Sequence, residues 1–171
     1  MIIEERVERS QYVKLITWIV SFIILMAGIV FPVLILWVNQ DMMSKVIGAS
    51  VLCLIFFTLI FTVAYQPRKL ILSETHIIME RILGQVYISY SDITDISLYH
   101  RENVAEIRIF GIGGLGGYIG KSYNSKIGFY TAYVGDYSQA FLIKINNREK
   151  YVMSCRHAEK IVEEVKSRLK Q

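Results

Sequence analysis

The chain is expected to fold as a two-helix transmembrane hairpin followed by a mainly antiparallel β barrel or sandwich with one C-terminal α-helix. Three observations predict this. Leu15–Val38 and Val46–Tyr65 are apolar runs without a charged side chain, and about 20 residues rising about 1.5 Å each suffice to cross a hydrocarbon core of roughly 30 Å. From Pro67 the pattern changes to short segments rich in Ile, Leu, Val and Tyr, divided by turn residues. Near the end, Ala158, Ile161, Val162, Val165 and Leu169 recur at three- and four-residue steps, the apolar stripe of an amphipathic helix. Residues 1–66 are therefore assigned to a membrane hairpin with spans at about 15–38 and 46–65, and residues 67–171 to a domain in water.

The first run is too long for a signal peptide. It has about 24 residues against roughly 7–15 for a signal core, and no small-x-small cleavage site follows. At about 36 Å it exceeds the hydrocarbon core and is expected to tilt. Pro32 has no N–H to offer the carbonyl of Gly28, so a kink is expected there. Tyr12, Trp18, Trp37 and Tyr65 stand near span ends, where amphipathic rings favour the interface. The connection Asn39–Lys45 is short and polar, so the spans must be antiparallel neighbours. It carries Lys45 alone, whereas Arg6, Arg9, Lys14, Arg68, Lys69 and Arg81 flank the other ends. That bias puts both termini on the cytoplasmic side. Gly48, Ala49, Ser50 and Cys53 form a small-residue patch for packing within the hairpin, with a dimer contact as the alternative. Neither span contains Asp, Glu, Lys, Arg or His, the groups that transport and proton relay need at depth.

In the domain, strands are predicted at Lys69–Ser73, His76–Arg81, Val86–Tyr90, Ile93–Tyr99, Val104–Phe110, Phe129–Val134, Ala140–Ile145 and Lys150–Ser154. Glu106-Ile107-Arg108-Ile109 and Leu142-Ile143-Lys144-Ile145 alternate, so each has one wet face. Asn146-Asn147 is a hairpin turn, because Asn tolerates positive φ. A helix over Arg156–Lys170 closes the domain, with Ser154 as its N-cap. With no helices between strands, a parallel βαβ design is excluded.

The composition limits the chemistry. The net charge is +4 and unevenly placed: 15 Lys and Arg face 11 Asp and Glu from Pro67 onward, and four face four before it. A mildly positive domain beside a bilayer suits an anionic leaflet. The charges are scattered, and no nucleic-acid partner is expected. Cys53 and Cys155 lie in different parts of the chain, so neither a disulfide framework nor a zinc site follows from them. His76, His100 and His157 fall in separate elements.

The segment Gly111–Gly120 contains GxGxxG at Gly111, Gly113 and Gly116, with Asp136 placed 20 positions beyond Gly116. That fingerprint holds a pyrophosphate only where a helix follows, and Tyr118–Tyr133 has no helical period. A P-loop ending at Gly120-Lys121-Ser122 would need glycine where Leu115 stands. Gly111, Gly113, Gly114, Gly116, Gly117 and Gly120 are therefore read as a structural loop or bulge, with positive φ and close backbone approach. No catalytic, cofactor-binding or metal-binding residue is assigned, and no cofactor or small-molecule substrate is expected.

Tyr65-Gln-Pro67, Leu70–Ser73, Ile88-Ser-Tyr-Ser-Asp-Ile93, Arg108-Ile-Phe-Gly-Ile-Gly-Gly-Leu-Gly-Gly-Tyr-Ile-Gly120 and the closing helix carry a resemblance. Over about Tyr65 to Leu169 the chain resembles the bacterial pleckstrin-homology-like (PH-like) domain family in its membrane-anchored form. The arginine-phenylalanine-glycine run is the most specific part. The resemblance implies a bent antiparallel barrel capped by one helix, no catalytic residues and residence in a bacterial inner membrane. The proline that often opens the family's last helix is absent, Arg156-His157 standing there. Eukaryotic relatives gather Lys and Arg around the first hairpin to bind phosphoinositides. Here that turn is Ser73-Glu74-Thr75 with Glu80 after it, so this activity is not carried over. The expected function is a non-catalytic interaction module that binds a protein partner or itself at the membrane, with sensing of an anionic lipid surface as the alternative.

Overall fold

The computed structural model describes residues 2–38, 41–101, 106–146 and 149–169, and the side chains at 35–38 lie outside that description. Trp37 as an interface anchor, Asn39, Val104, Asn147 and Lys170 thus lie outside the described residues. Two N-terminal helices, mostly antiparallel sheets and a C-terminal helix follow one another as expected.

Helix α1 (Gln11–Val38) and helix α2 (Met42–Ala64) are 28 and 23 residues long. Each starts about one turn before the apolar run that predicts it. Asp41 caps α2, its carboxylate accepting the Ser44 N–H at 3.3 Å. α1 runs as one helix through Pro32. The two helices meet along a narrow seam. On α2, the less exposed positions Gly48, Leu52, Ile55, Leu59 and Thr62 alternate steps of four and three, the repeat of left-handed helix pairs. Gly28 of α1 lies against Leu52. Of the small-residue patch only Gly48 faces this seam; Ala49, Ser50 and Cys53 are exposed. The remaining apolar surface of both helices is open, Trp18 at 78%.

The first sheet has the order β1-β2-β3-β4, all antiparallel, from β1 (Ile3–Arg6), β2 (Pro67–Leu72), β3 (His76–Arg81) and β4 (Gln85–Ser89). β1 was not predicted. The sequence places residues 1–66 with the hairpin, yet Ile3–Arg6 pair with Lys69–Leu72, and Ile3 and Val7 pack on the domain's core. The helix pair is thus an excursion between two adjacent strands.

The second sheet has the order β5-β9-β10-β8-β7-β6. Its strands are β5 (Ile93–Leu98), β6 (Glu106–Gly113), β7 (Tyr118–Asn124), β8 (Gly128–Val134), β9 (Ala140–Ile145) and β10 (Lys150–Ser154). All pairs are antiparallel except β8 with β10. β7 is also a correction, since the sequence left that stretch as loop. On the face it shares with Tyr130 and Ala132 it carries the buried Ser122 and Asn124, with Ile119 buried on the other face, so the apolar period is masked by polar residues that find partners inside. Asn124 donates to the Tyr99 hydroxyl at 3.0 Å and accepts the Lys126 N–H at 2.9 Å.

The main core lies between the sheets. Leu70, Leu72, Ile77, Met79 and Ile88 meet Ile96, Phe141, Ile143 and Met153, and helix α3 (Ala158–Leu169) adds Ala158, Ile161, Val162 and Val165. α3 packs on β5, β9 and the 3-10 turn Tyr90–Asp92. It begins later than expected, and Ser154 is not its cap. That hydroxyl is buried in β10 and accepts the Gly135 N–H at 2.8 Å. The opposite face of the second sheet carries a smaller core of Tyr99, Tyr130, Ala132, Val134, Leu142 and Val152.

Candidate functional site

The glycine segment forms the β6–β7 hairpin. Gly111 and Gly120 face each other across the two strands with φ of 127° and 122°. A Cβ on Gly111 would run into the Ile119 carbonyl, and one on Gly120 into the Phe110 carbonyl. Such φ values disfavour any side chain. At the tip, Gly114, Gly116 and Gly117 also have positive φ, and the Gly114 N–H donates to the Gly117 carbonyl at 3.0 Å. Gly113 does not: its space is taken by the Arg108 guanidinium.

This tip grips the helix pair. The Gly116 N–H donates to Thr17 Oγ1 of α1 at 2.8 Å, and the same hydroxyl faces the carbonyls of Val13 (2.6 Å) and Gly114 (3.2 Å). Gln66, 5% exposed at the end of α2, covers Gly116, and its Oε1 accepts from Arg9 at 2.5 Å. The Ser10 N–H donates to the Gly135 carbonyl, and Glu8 fills the space beside Gly135. The Leu83 N–H, in the β3–β4 turn, donates to the Ala64 carbonyl of α2 at 2.7 Å. Both ends of the helix pair are therefore fastened to the same end of the β-domain. Thr17 was not singled out from sequence, and Gln66 entered only as part of the Tyr65-Gln-Pro67 run. The only signal would have been a polar residue set in each apolar junction.

A second constellation adjoins this joint. Glu106 accepts from the hydroxyls of Tyr130 and Tyr137 and pairs with Arg101 Nε at 2.7 Å. Arg101 lies over the rings of Tyr137 and Tyr118, and Arg108 over Tyr118 from another direction. Burial, then the hydrogen bond to Glu106, drives the Tyr130 phenol far above its ordinary value, and burial does the same to Tyr137. These phenols are neutral structural donors. Among the described residues no carboxylate pairs with Arg108, which is exposed. Arg101, Arg108, Tyr118, Tyr12 and Ile16 line a cleft of about 490 Å³ against the first turns of α1.

The remaining candidates stay apart. His157 Nδ1 meets Glu5 of β1 at 2.9 Å, His76 meets Thr75, and His100 is exposed on the far side of Tyr99 in sequence. Burial pushes the Cys155 thiol up to about 12, so it is no ready nucleophile. Among the described residues no group of three His, Cys, Asp or Glu gathers at metal-binding distance. The Ser73–Thr75 turn is closed on itself, Ser73 Oγ accepting the His76 N–H at 2.9 Å. It sits at the end of β2 away from the helices, about 20 Å from Pro67 at about 3.3 Å per residue.

Two sheets and a closing helix define a small β-domain of the pleckstrin-homology kind. The bacterial PH domain family matches residues 68–169, from β2 to the end of α3, and the chain belongs to that family. Members are generally non-catalytic. β1 and the helix pair lie outside the matched span. No curated protein and no solved structure matches the chain.

Proposed function

We propose that the chain is a membrane-anchored, non-catalytic interaction module of a bacterial inner membrane. Residues 11–65 form the hairpin in the bilayer, and residues 67–171, completed by residues 3–10, form the PH domain at the cytoplasmic face. The helices support this reading: both are long and apolar enough to cross, and they remain almost wholly exposed rather than buried as core helices would be. The occupant of the domain is a protein partner or a second copy. Anchoring raises the local concentration available to a weak contact.

One observation carries the interaction reading. The face of the second sheet that forms the main core continues past the first sheet onto β6, β7 and β8. There Ile107, Tyr123 and Phe129 stand in one cross-strand row, with Phe129 at 68% and Phe110 nearby at 74% exposure. A patch of large apolar side chains rimmed by Lys121 and Lys150 is a surface for binding. A photo-crosslinking residue placed at Phe129 of the full-length chain in cells should give a discrete protein adduct, and one placed at Glu163 on α3 should not. Equal or absent adducts at both positions would remove the reading. Sensing of an anionic lipid surface is a second reading, favoured by the arginine cleft beside α1.

A further inference from the structure

We propose that the cleft between α1 and the β6–β7 hairpin is a binding site for the phosphate of an anionic phospholipid, held by Arg108 with Arg101. The inference rests on the membrane-anchored reading.

Four observations converge on it. First, among the described residues the charge balance of the cleft is positive. Glu106 is engaged by Arg101 at 2.7 Å, so it offsets one guanidinium, and the charge of Arg108 is left over. Second, Arg108 is held in place without being neutralised. Gly113 gives it room against the backbone, and the Tyr118 ring lies 5.8 Å from its centre. A planar guanidinium suits two oxygens of a phosphate, and this one lines the cleft. Third, the other wall is Tyr12 and Ile16, from the first two turns of the first apolar helix. From that wall the exposed Leu15, Trp18 and Ile19 continue along α1. A headgroup in the cleft would therefore have its acyl chains running beside the helix.

Fourth, the level of the cleft is fixed by its neighbours. The β3–β4 turn brings exposed Ile82 and Leu83 to the end of α2, where Leu83 is tied to Ala64. The β6–β7 tip reaches Thr17, six residues into α1. Two loop tips at the mouth of an apolar helix pair put the space between them at headgroup depth. The Ser73–Thr75 turn lies at the opposite end of β2.

The test uses the full-length protein in nanodiscs made from equal parts phosphatidylglycerol and phosphatidylcholine, with retained lipid counted by native mass spectrometry. Wild type should retain phosphatidylglycerol preferentially. Arg108→Gln should lower that preference about fivefold, the weight of one cation near an anionic surface, with its melting temperature little changed, because among the described residues Arg108 has no carboxylate partner and gives up only its contact with Tyr118. Lys160→Gln, which removes the same charge from the outer face of α3, should leave the preference intact. A preference that survives Arg108→Gln, or that falls equally with Lys160→Gln, would overturn the site. Water-soluble glycerophosphoglycerol separates the sources of phosphate. Failure to displace retained lipid supports the lipid, and displacement at micromolar concentration would make the cleft a free-phosphate site instead. Carbonate extraction of the same membranes reads the anchor separately. A chain that stays embedded but shows no lipid preference refutes this site alone, and a chain that washes out refutes the anchor.

Discussion

Gly111 and Gly120 are the residues on which the β6–β7 hairpin depends. Each has a φ that disfavours side chains, and each would drive a Cβ into the opposite strand's backbone. Neither obstacle is a flexible side-chain end, so neither can move aside. Gly111→Ala or Gly120→Ala should each cost about 1–3 kcal/mol. Gly113→Ala should cost less, because its φ is ordinary and only the Arg108 guanidinium must shift. Thermal unfolding of the three single variants in the full chain checks the order, and a Gly113 variant as damaged as the other two would contradict it. The glycine-rich run was legible in the sequence as a place of close backbone approach. That two of its glycines face each other across a strand pair was not, because β7 carries Ser122 and Asn124 where a strand normally shows apolar residues. Arg108 was legible only as part of a family-like run. Its place over Tyr118 depends on a hairpin register that spacing alone does not give.

At the scale of elements, periodicity found the C-terminal helix but misread β6, whose alternating Ile107 and Ile109 are both exposed rather than turned to a covered face. On α3, Ala158, Ile161, Val162 and Val165 are all buried, while Glu159, Lys160, Glu163 and Lys166 are exposed; Leu169, read as the last member of the stripe, is exposed too, at the end of the helix past the core. Burying Ile161 contributes about 2 kcal/mol, and a carboxylate in its place would lie within the main core. Ile161→Asp should therefore destabilise the domain by about 3 kcal/mol or more. In detergent-solubilised full-length protein, limited proteolysis should then cleave residues 67–171 while the hairpin stays protected. A variant that resists proteolysis like wild type would mean that the stripe is not core. β1 escaped prediction for the opposite reason. Ile3-Glu-Glu-Arg6 is four residues long, carries three charges and precedes a helix. Its stability comes from pairing with β2, more than sixty residues later, and no local signal marks that. The start of α3 shifted because the hydroxyl proposed to cap it is used instead to hold Gly135.

For the whole molecule, the β-domain has a defined polarity. The β3–β4 and β6–β7 turns sit at the helix end, and the β2–β3 turn and the C-terminal end of α3 sit at the other, where Arg168 donates to the Ser73 carbonyl at 2.5 Å. On the membrane-anchored reading, with basic residues flanking the domain side, the short α1–α2 connection is outside the cell and the β-domain inside. In a chain with Cys53 and Cys155 replaced by Ala, a cysteine introduced at Ser44 should react with an impermeant maleimide in intact cells. One introduced at Ser167 should react only after lysis. The reverse pattern would overturn the topology.

The fastening of β1 beside β2 has a consequence for synthesis. β1 leaves the ribosome first, but its partner β2 follows both helices. On the membrane-anchored reading, the first strand must therefore wait, unpaired, until the second helix has been laid into the bilayer. Closing a loop of that length in free solution would carry an entropic cost that rises with the logarithm of its length. An inserted helix pair removes much of that cost by delivering the two strand ends side by side. On that reading insertion would act as a checkpoint for folding: a chain that misses the membrane would leave the β2 edge bare, and a bare edge is what quality-control proteases and aggregation both recognise.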